Sequence, residues 1–453
     1  MTHAPAPTLA APARPARRAP ADLPFRFADR ALAETLGAER EDPDWLRADR
    51  IAAWQGFEAL PVEANQLYTP YIDLRTAHLD DARPYVLDGP PGIGDDLRDL
   101  ELPTGVIVET FGQWLARDPV GARAALDGGA SLPSDDKLAL LARGFWSHGR
   151  HVEVAAGTQV AEPISLRWPG AEPGRALLTR TLISLGAGAK AAIVEELGAS
   201  DDGSAAVSAA GAAAISTAQG FFHGTTEVLL GAGASLELAS IQVFDPEQIV
   251  FQHRHASIGE GATLHWALAQ LGSRLVRSRV DNRLEGDRSS VEQVEIVFGG
   301  EQQLFDLTSY TRHIGRDTTG NLLSKGALLD RSKSFMKGLI VIERSAVGTD
   351  SYLGEFGMNL SKAARAVAIP SLEIDQPDCR RAAHSSSVGP IDPTQLFYLE
   401  SRGIPPDEAR KFIVLGFLEP VVARVPLERA RERLRDLLEA KWTAGTEAGA
   451  AAA

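Results

Sequence analysis

Two side chains stand out for the chemistry they could do: a lone thiol, Cys379, and a histidine five residues further on, His384, in the stretch LEIDQPDCRRAAHSSSVG from Leu372 to Gly389. A thiolate and a neutral imidazole both ligate iron or zinc. One cysteine cannot close a disulfide, and it cannot supply the three or four thiolates of a self-sufficient metal centre. Any cluster chemistry must therefore be shared with another chain. An odd separation places Cys379 and His384 on opposite faces of an uninterrupted strand, so they chelate together only if the strand bulges.

A second pair, His253 and His255, lies two apart in an alternating segment, with Arg254 turned to the other face. On a strand the two imidazoles share a face and could share a metal. No third ligand follows nearby, which favours two histidines on a solvated sheet face. His223, His265 and His313 are isolated and read as structural or surface residues. There is no phosphate loop ending in Gly-Lys-Ser/Thr, no strand-to-helix G-x-G-x-x-G, no H-E-x-x-H and no G-x-S-x-G. The GPPGIG run from Gly89 lacks the lysine of a phosphate cradle, precedes Asp95 and Asp96, and reads as a turn.

The elements that must position these groups can be read from texture. The chain has 453 residues, 44% apolar and 23% charged, enough for a large core. Its net charge of -14 argues against a general nucleic-acid binder. No stretch has the length and apolarity of a transmembrane helix. Residues 1–24 are rich in Ala, Pro and Arg and too interrupted by proline for a secretory signal. They read as a disordered tail on a cytoplasmic protein, with an organellar transit peptide as the alternative.

An amphipathic helix, capped by Asp42 with Pro43 in its first turn, carries Trp45, Leu46, Ile51, Trp54 and Phe57. A strand is expected from Gly105 to Glu109, with helix around Phe111 to Leu115. From about His151 to Ile374, short alternating runs such as Val291 to Phe298 and Phe335 to Ile342 are broken by Gly-rich turns. One turn recurs at Gly186, Gly231 and Gly259. Its second glycines, Gly188, Gly233 and Gly261, lie 45 and 28 residues apart, close to one or two coils of a solenoid. The C-terminal part returns to helix. One helix starts at Asp392 and Pro393 and stops at Gly403, and a second carries Ala409, Phe412, Ile413, Gly416 and Phe417 on one face. A third carries Leu427, Ala430, Leu434, Leu437 and Leu438.

Several blocks in this order resemble the SufB/SufD family: Asn321-Leu322-Leu323-Ser324-Lys325-Gly326-Ala327-Leu328, Gly348-Thr349-Asp350-Ser351-Tyr352, Asn359-Leu360-Ser361-Lys362-Ala363, Ile369-Pro370-Ser371-Leu372-Glu373-Ile374, His384 to Gly389, and Leu396-Phe397-Tyr398-Leu399-Glu400-Ser401-Arg402-Gly403-Ile404. The likeness is dense over 305–420 and thin before 150. It implies a mainly β protein, a right-handed parallel β-helix with helical terminal regions. The implied divisions are a tail at 1–24, a helical and mixed region at 25–150, the β-helix at 151–390, a helical region at 391–442 and a second disordered tail at 443–453.

The resemblance further implies a non-catalytic scaffold for iron–sulfur cluster assembly, paired through its β-helix with a SufB-like paralogue. An ABC-type ATPase, SufC, would bind the C-terminal helices around Phe397, Tyr398, Arg402, Gly403, Glu408, Ala409, Phe412 and Phe417. The family's C-x-H pattern falls on Ala382 and His384, leaving Cys379 out of register. That departure points to the SufD branch, with His384 as a ligand to a transient cluster shared with the partner and Cys379 as a weaker candidate. No cofactor is expected to be held stably by this chain alone. A SufB-like or homodimeric scaffold is the alternative, and a β-helix enzyme acting on acidic polysaccharide a remote one.

Overall fold

Gly188, Gly233 and Gly261 all take positive φ, at +68°, +67° and +62°, a conformation that costs glycine little. The amide of each donates to the corner of the next coil: Gly188 to Ala232 O at 2.8 Å, Gly233 to Glu260 O at 2.7 Å and Gly261 to Asp287 O at 2.8 Å. The ladder continues where glycine is absent. Arg288 (φ +58°) donates to Arg316 O, Asp317 (φ +55°) to Val347 O and Gly348 (φ +78°) to Asp378 O. Each left-handed residue is followed by a small buried one: Ala189, Ala234, Ala262, Ser289, Thr318 and Thr349.

In the computed structural model, residues 25–60, 79, 81–97, 101–127, 131–198, 219–425 and 427–451 are described. The expected tail at 1–24 lies outside them. The order is α1 (Arg30–Glu39), α2 (Asp44–Ala59), β1 (Arg83–Pro84), β2 (Val106–Thr110), α3 (Phe111–Arg117), α4 (Pro119–Leu126) and α5 (Lys137–Phe145). Sixteen strands follow: β3 (His148–Val154), β4 (Ile164–Trp168), β5 (Arg175–Leu185), β6 (Lys190–Leu197), β7 (Gly220–Leu230), β8 (Ser235–Gln242), β9 (Gln248–Ile258), β10 (Thr263–Gln270), β11 (Leu275–Leu284), β12 (Ser290–Gly299), β13 (Leu304–His313), β14 (Thr319–Leu328), β15 (Lys333–Ile342), β16 (Asp350–Asn359), β17 (Arg365–Ile374) and β18 (Arg381–Gly389). Helices α6 (Pro393–Glu400), α7 (Pro406–Val422) and α8 (Glu428–Ala451) end the chain.

Odd-numbered strands from β3 to β17 form one sheet, with β2 antiparallel to β3 at its edge, and even-numbered strands from β4 to β18 form the other. The result is a parallel β-solenoid of about eight coils. Lys190 pairs directly with Ser235, and Ser235 with Thr263, so both glycine spacings are one coil. The longer one contains residues 199–218, which are not described.

Alternation divides each strand between the solenoid interior and an outer face. Val152, Ile183, Val228, Ala256 and Val280 point inward and pack with Ile193, Leu238 and Trp266 of the opposite sheet. A fully buried aliphatic or aromatic side chain of this kind contributes about 2 kcal/mol. Phe221, Ile249, Phe251 and Leu275 point outward and are covered by Leu36, Phe57, Leu140 and Phe145 of the N-terminal helices. On the other sheet, Ala239, Ala267, Ala269 and Ala327 are small enough to seat Val414, Leu418, Leu434 and Leu438 of α7 and α8.

Three expectations need correcting, and one helix has no counterpart among them. Asp42 does not cap α2, whose N-cap is Pro43. Its carboxylate instead accepts from Arg50 Nε at 2.7 Å in a buried pair. Helix α1, capped by Asp29, went unread. The buried face of α7 is Ala409, Val414, Leu418, Val421 and Val422, because the residue at 412 turns outward. The expected tail at 443–453 is helical up to Ala451.

The corner makes a stability prediction. A Cβ on Gly261 meets nothing within 4 Å, whereas one on Gly286 runs into the backbone of Glu260 and Gly259. Gly261→Ala should lose only the positive-φ penalty, about 1–2 kcal/mol. Gly286→Ala must push coils apart and should lose about 3 kcal/mol or more. Urea melts of the two variants check the order, and equal losses would contradict it.

Candidate functional site

The two ends of the solenoid differ. At the first coil β2 adds to the edge of β3, and Phe111 of α3 packs with Trp146 and Leu182 over that end. At the last coil β17 and β18 have β15 and β16 as their only strand neighbours, and no further strand follows among the described residues. Register fixes what this end displays. Ile374 pairs with inward-facing Ile342, Val388 with Gly357 and His384 with inward-facing Leu353. Yet Ile374 and Val388 are 45% and 39% exposed, and His384 and Ser386 are exposed as well. The open end is a cross-section of the core, with His384 on it.

Cys379 does not lie on the strand that carries His384, because β18 begins only at Arg381. Arg380 N donates to Thr349 O at 2.8 Å, which places Cys379 in the corner stacked on Gly348. Its side chain packs with Leu372 and Ala382 against Ile340, Ile342, Ala346 and Leu353. The expectation that Cys379 and His384 take opposite faces therefore fails. The parity count ran through a corner, and Cys379, Ala382 and His384 all belong to the inward side. Among the described residues, no three or more His, Cys, Asp or Glu side chains converge on a common metal position.

One coil inward lies a residue that sequence reasoning missed. Glu355 of β16 pairs with Ser386 of β18, points inward and is 1% exposed. One oxygen accepts from Ile369 N at 2.9 Å. Burial pushes its carboxyl up to about 8. A single acidic residue in an alternating strand gives no sign that its neighbours on both sheets will enclose it.

The other histidine pair is buried. His253 Nε2 lies 2.6 Å from Asp281 Oδ2, and Asp281 also accepts from Arg279 Nε at 2.8 Å. His255 is held neutral, with its pKa lowered to about 4 chiefly by burial. The face these histidines share is covered rather than solvated. Arg254 points inward, as alternation requires, where its Nη2 donates to Ser240 Oγ at 2.8 Å. The GPPGIG run is a turn with Gly92 and Gly94 at positive φ.

Beyond the open end, α6 and the start of α7 display aromatic surface. Phe397, Tyr398 and Phe412 are 70%, 56% and 60% exposed, and the Arg402 guanidinium lies 5.0 Å from the Tyr398 ring centre. Glu408 and Gly403 are also exposed, Gly403 at φ +85°. Two of the expected contact residues are less open. Ala409 is fully buried. Phe417 is half-buried against the helical layer, and its carbonyl accepts from Lys325 Nζ at 2.7 Å.

The family model described as "SUF system FeS cluster assembly, SufBD core domain" matches residues 169–417, more than half of the chain. The chain belongs to the SufBD family. An iron–sulfur cluster assembly protein SufD of Bacillus subtilis is 32% identical over 221 residues, 49% of this chain and half the length of that relative. A SufBD family protein of Mycobacterium bovis is 28% identical over 319 residues, 69% of this chain and 75% of the relative. One from Mycobacterium leprae is 26% identical over 323 residues, 70% and 77% of the two chains. The SufBD core match takes in the open end and the aromatic surface, stopping at Phe417. SufBD proteins are components of iron–sulfur cluster assembly. No helix among the described residues is long and apolar enough to cross a membrane.

Glu355 gives this end a pH signature. Its carboxyl is raised from 4.5 when unfolded to about 8 when folded, so the folded state binds the extra proton and loses stability as pH climbs between those values. Glu355→Gln should therefore raise the melting temperature relative to the parent chain most at pH above 8 and hardly at all near pH 4.5. A pH-independent difference would remove the carboxyl from this role.

Proposed function

We propose that this chain is a SufD-like, non-catalytic scaffold subunit that pairs through the open end of its solenoid with a SufB-like paralogue. It would hold a nascent iron–sulfur cluster at that junction as cargo. The observation that supports this most directly is the exposure of inward-register residues Ile374, His384, Ser386 and Val388. A core cross-section left bare exposes apolar surface and unpaired strand edges. A second solenoid with a similar end would cover both. His384 supplies an imidazole there, and thiolates from the partner would complete the ligand set. Cys379, half-buried among aliphatic side chains, serves as a small core residue.

The sequence lacks a phosphate loop, so the energy of ATP would come from a SufC-like ATPase docked on Phe397, Tyr398 and Phe412. Apolar aromatic surface with an arginine alongside suits such a contact. The family context and the lone reduced thiol suit a cytoplasmic setting.

Two experiments test this reading. In a complex co-expressed with the SufB-like and SufC-like partners, His384→Ala should lower iron and sulfide content and visible absorption after anaerobic reconstitution, with the heteromer intact. Cys379→Ser should retain them. The reverse pattern would transfer the site to the thiol and favour the SufB-like alternative. Separately, Phe412→Asp should abolish co-purification of the ATPase while leaving the far-ultraviolet circular dichroism unchanged, because an exposed ring contributes little to the fold. Retention of the ATPase would locate its contact elsewhere.

A further inference from the structure

Three inward positions on neighbouring strands line up in the first half of the solenoid: Thr179 of β5, Gly224 of β7 and Gln252 of β9. Glycine in the middle lets the ring of Phe222 lie against the strand, since a Cβ there would come within 2.6 Å of that ring and 3.5 Å of Thr179 Oγ1. Beside the ring is a cavity of about 10 Å³ lined by Trp168, Thr179, Glu195, Phe222, Gln252 and Arg254.

Three polar atoms on its walls have no hydrogen-bond partner among the described residues: Thr179 Oγ1, Gln252 Nε2 and Arg254 Nε. All three side chains are at least nine-tenths buried. Neighbouring bonds fix which atoms are left over. Gln252 Oε1 accepts from Arg254 Nη1 at 2.9 Å and from Gln270 Nε2 at 3.0 Å, which turns its amide nitrogen away from them. Arg254 Nη2 is engaged by Ser240 Oγ at 2.8 Å and lies 3.5 Å from Glu195 Oε2. Ser240 Oγ donates to Glu195 Oε2 at 2.7 Å and Thr226 Oγ1 to Glu195 Oε1 at 3.3 Å.

We propose that this cavity is a binding site for one water molecule, which accepts from Gln252 Nε2 and Arg254 Nε and donates to Thr179 Oγ1. The volume is about that of a single water-sized sphere, and buried waters make about three hydrogen bonds. Two orphaned donors match the two lone pairs of water, and the hydroxyl oxygen takes one of its protons. A cation would face the Arg254 guanidinium and an anion the Glu195 carboxylate, so a neutral ligand suits both. Gly224 makes room for the Phe222 ring that walls the site.

The test is a crystal structure of the full chain at a resolution that shows ordered waters, together with Thr179→Val and Thr179→Ser. A density peak within hydrogen-bond distance of the three atoms is expected in the parent and in Thr179→Ser. Thr179→Val should lose or displace it and melt several degrees lower, with Thr179→Ser recovering most of the loss. A parent map with no peak, or with Arg254 Nε bonded to protein instead, overturns the proposal. So does a Thr179→Val variant that melts like the parent.

Discussion

The corner amide that donates across to the next coil is the bond on which the molecule depends. From Gly188 to Gly348 it recurs coil after coil, always from a residue of positive φ. Because each strand starts two residues after that corner, a slip of one residue there would turn every inward side chain of the coil outward. The small buried residue next to each corner and the close approach at Gly286 leave no room for such a slip. Register here is held by backbone geometry at the edge as much as by apolar side chains at the centre.

That rigidity permits an interior less apolar than a solenoid of this size needs. Glu195, Ser240, Arg254, Gln270 and Glu295 sit inside, bonded to one another, and burial pushes the Glu295 carboxyl up to about 7. Buried polar groups are costly unless satisfied, and Arg254 Nε, Gln270 Oε1 and Glu295 Oε2 have no partner among the described residues. In this chain the polar groups run beside aliphatic side chains of the same coils, such as Ile193, Leu238, Leu264 and Val291.

How much was legible follows from how local each signal is. Glycine corners, alternating runs and the helix start at Asp392 act over a few residues, and they led to the solenoid and to α6. The corner ladder was only half visible, because Arg288 and Asp317 carry the same left-handed conformation without glycine. The covered state of His253 and His255 could not be read, since residues bonded to their strand neighbours, Ser131 on Glu227 and Asp136 on Arg279, come from more than 100 residues earlier in the chain. The use of Asp42 was hidden for a different reason: Arg50, eight residues on, claims its carboxylate within the helical layer. At the candidate site, His384 was singled out by its residue type and by the resemblance, and the structure places it on the open end. Which side Cys379 takes depended on where β18 begins, and boundaries are the least local property of a strand.

The placement of the N-terminal helices on β5 to β11 bears on the order in which the chain can assemble during its synthesis. Their apolar faces at Leu36 and Phe57 find their cover in Phe221, Phe251 and Leu275, which leave the ribosome some two hundred residues later. Sheet cover for the helices begins with Ala176 and Leu178 of β5. The coils themselves need only their predecessor, so they can stack one at a time as they emerge. The bare cross-section at Ile374 and His384 is the last part of the solenoid to be completed, with only α6 to α8 described after it. Any partner that covers it must therefore wait for a nearly finished chain, which guards the junction against pairing with half-made subunits.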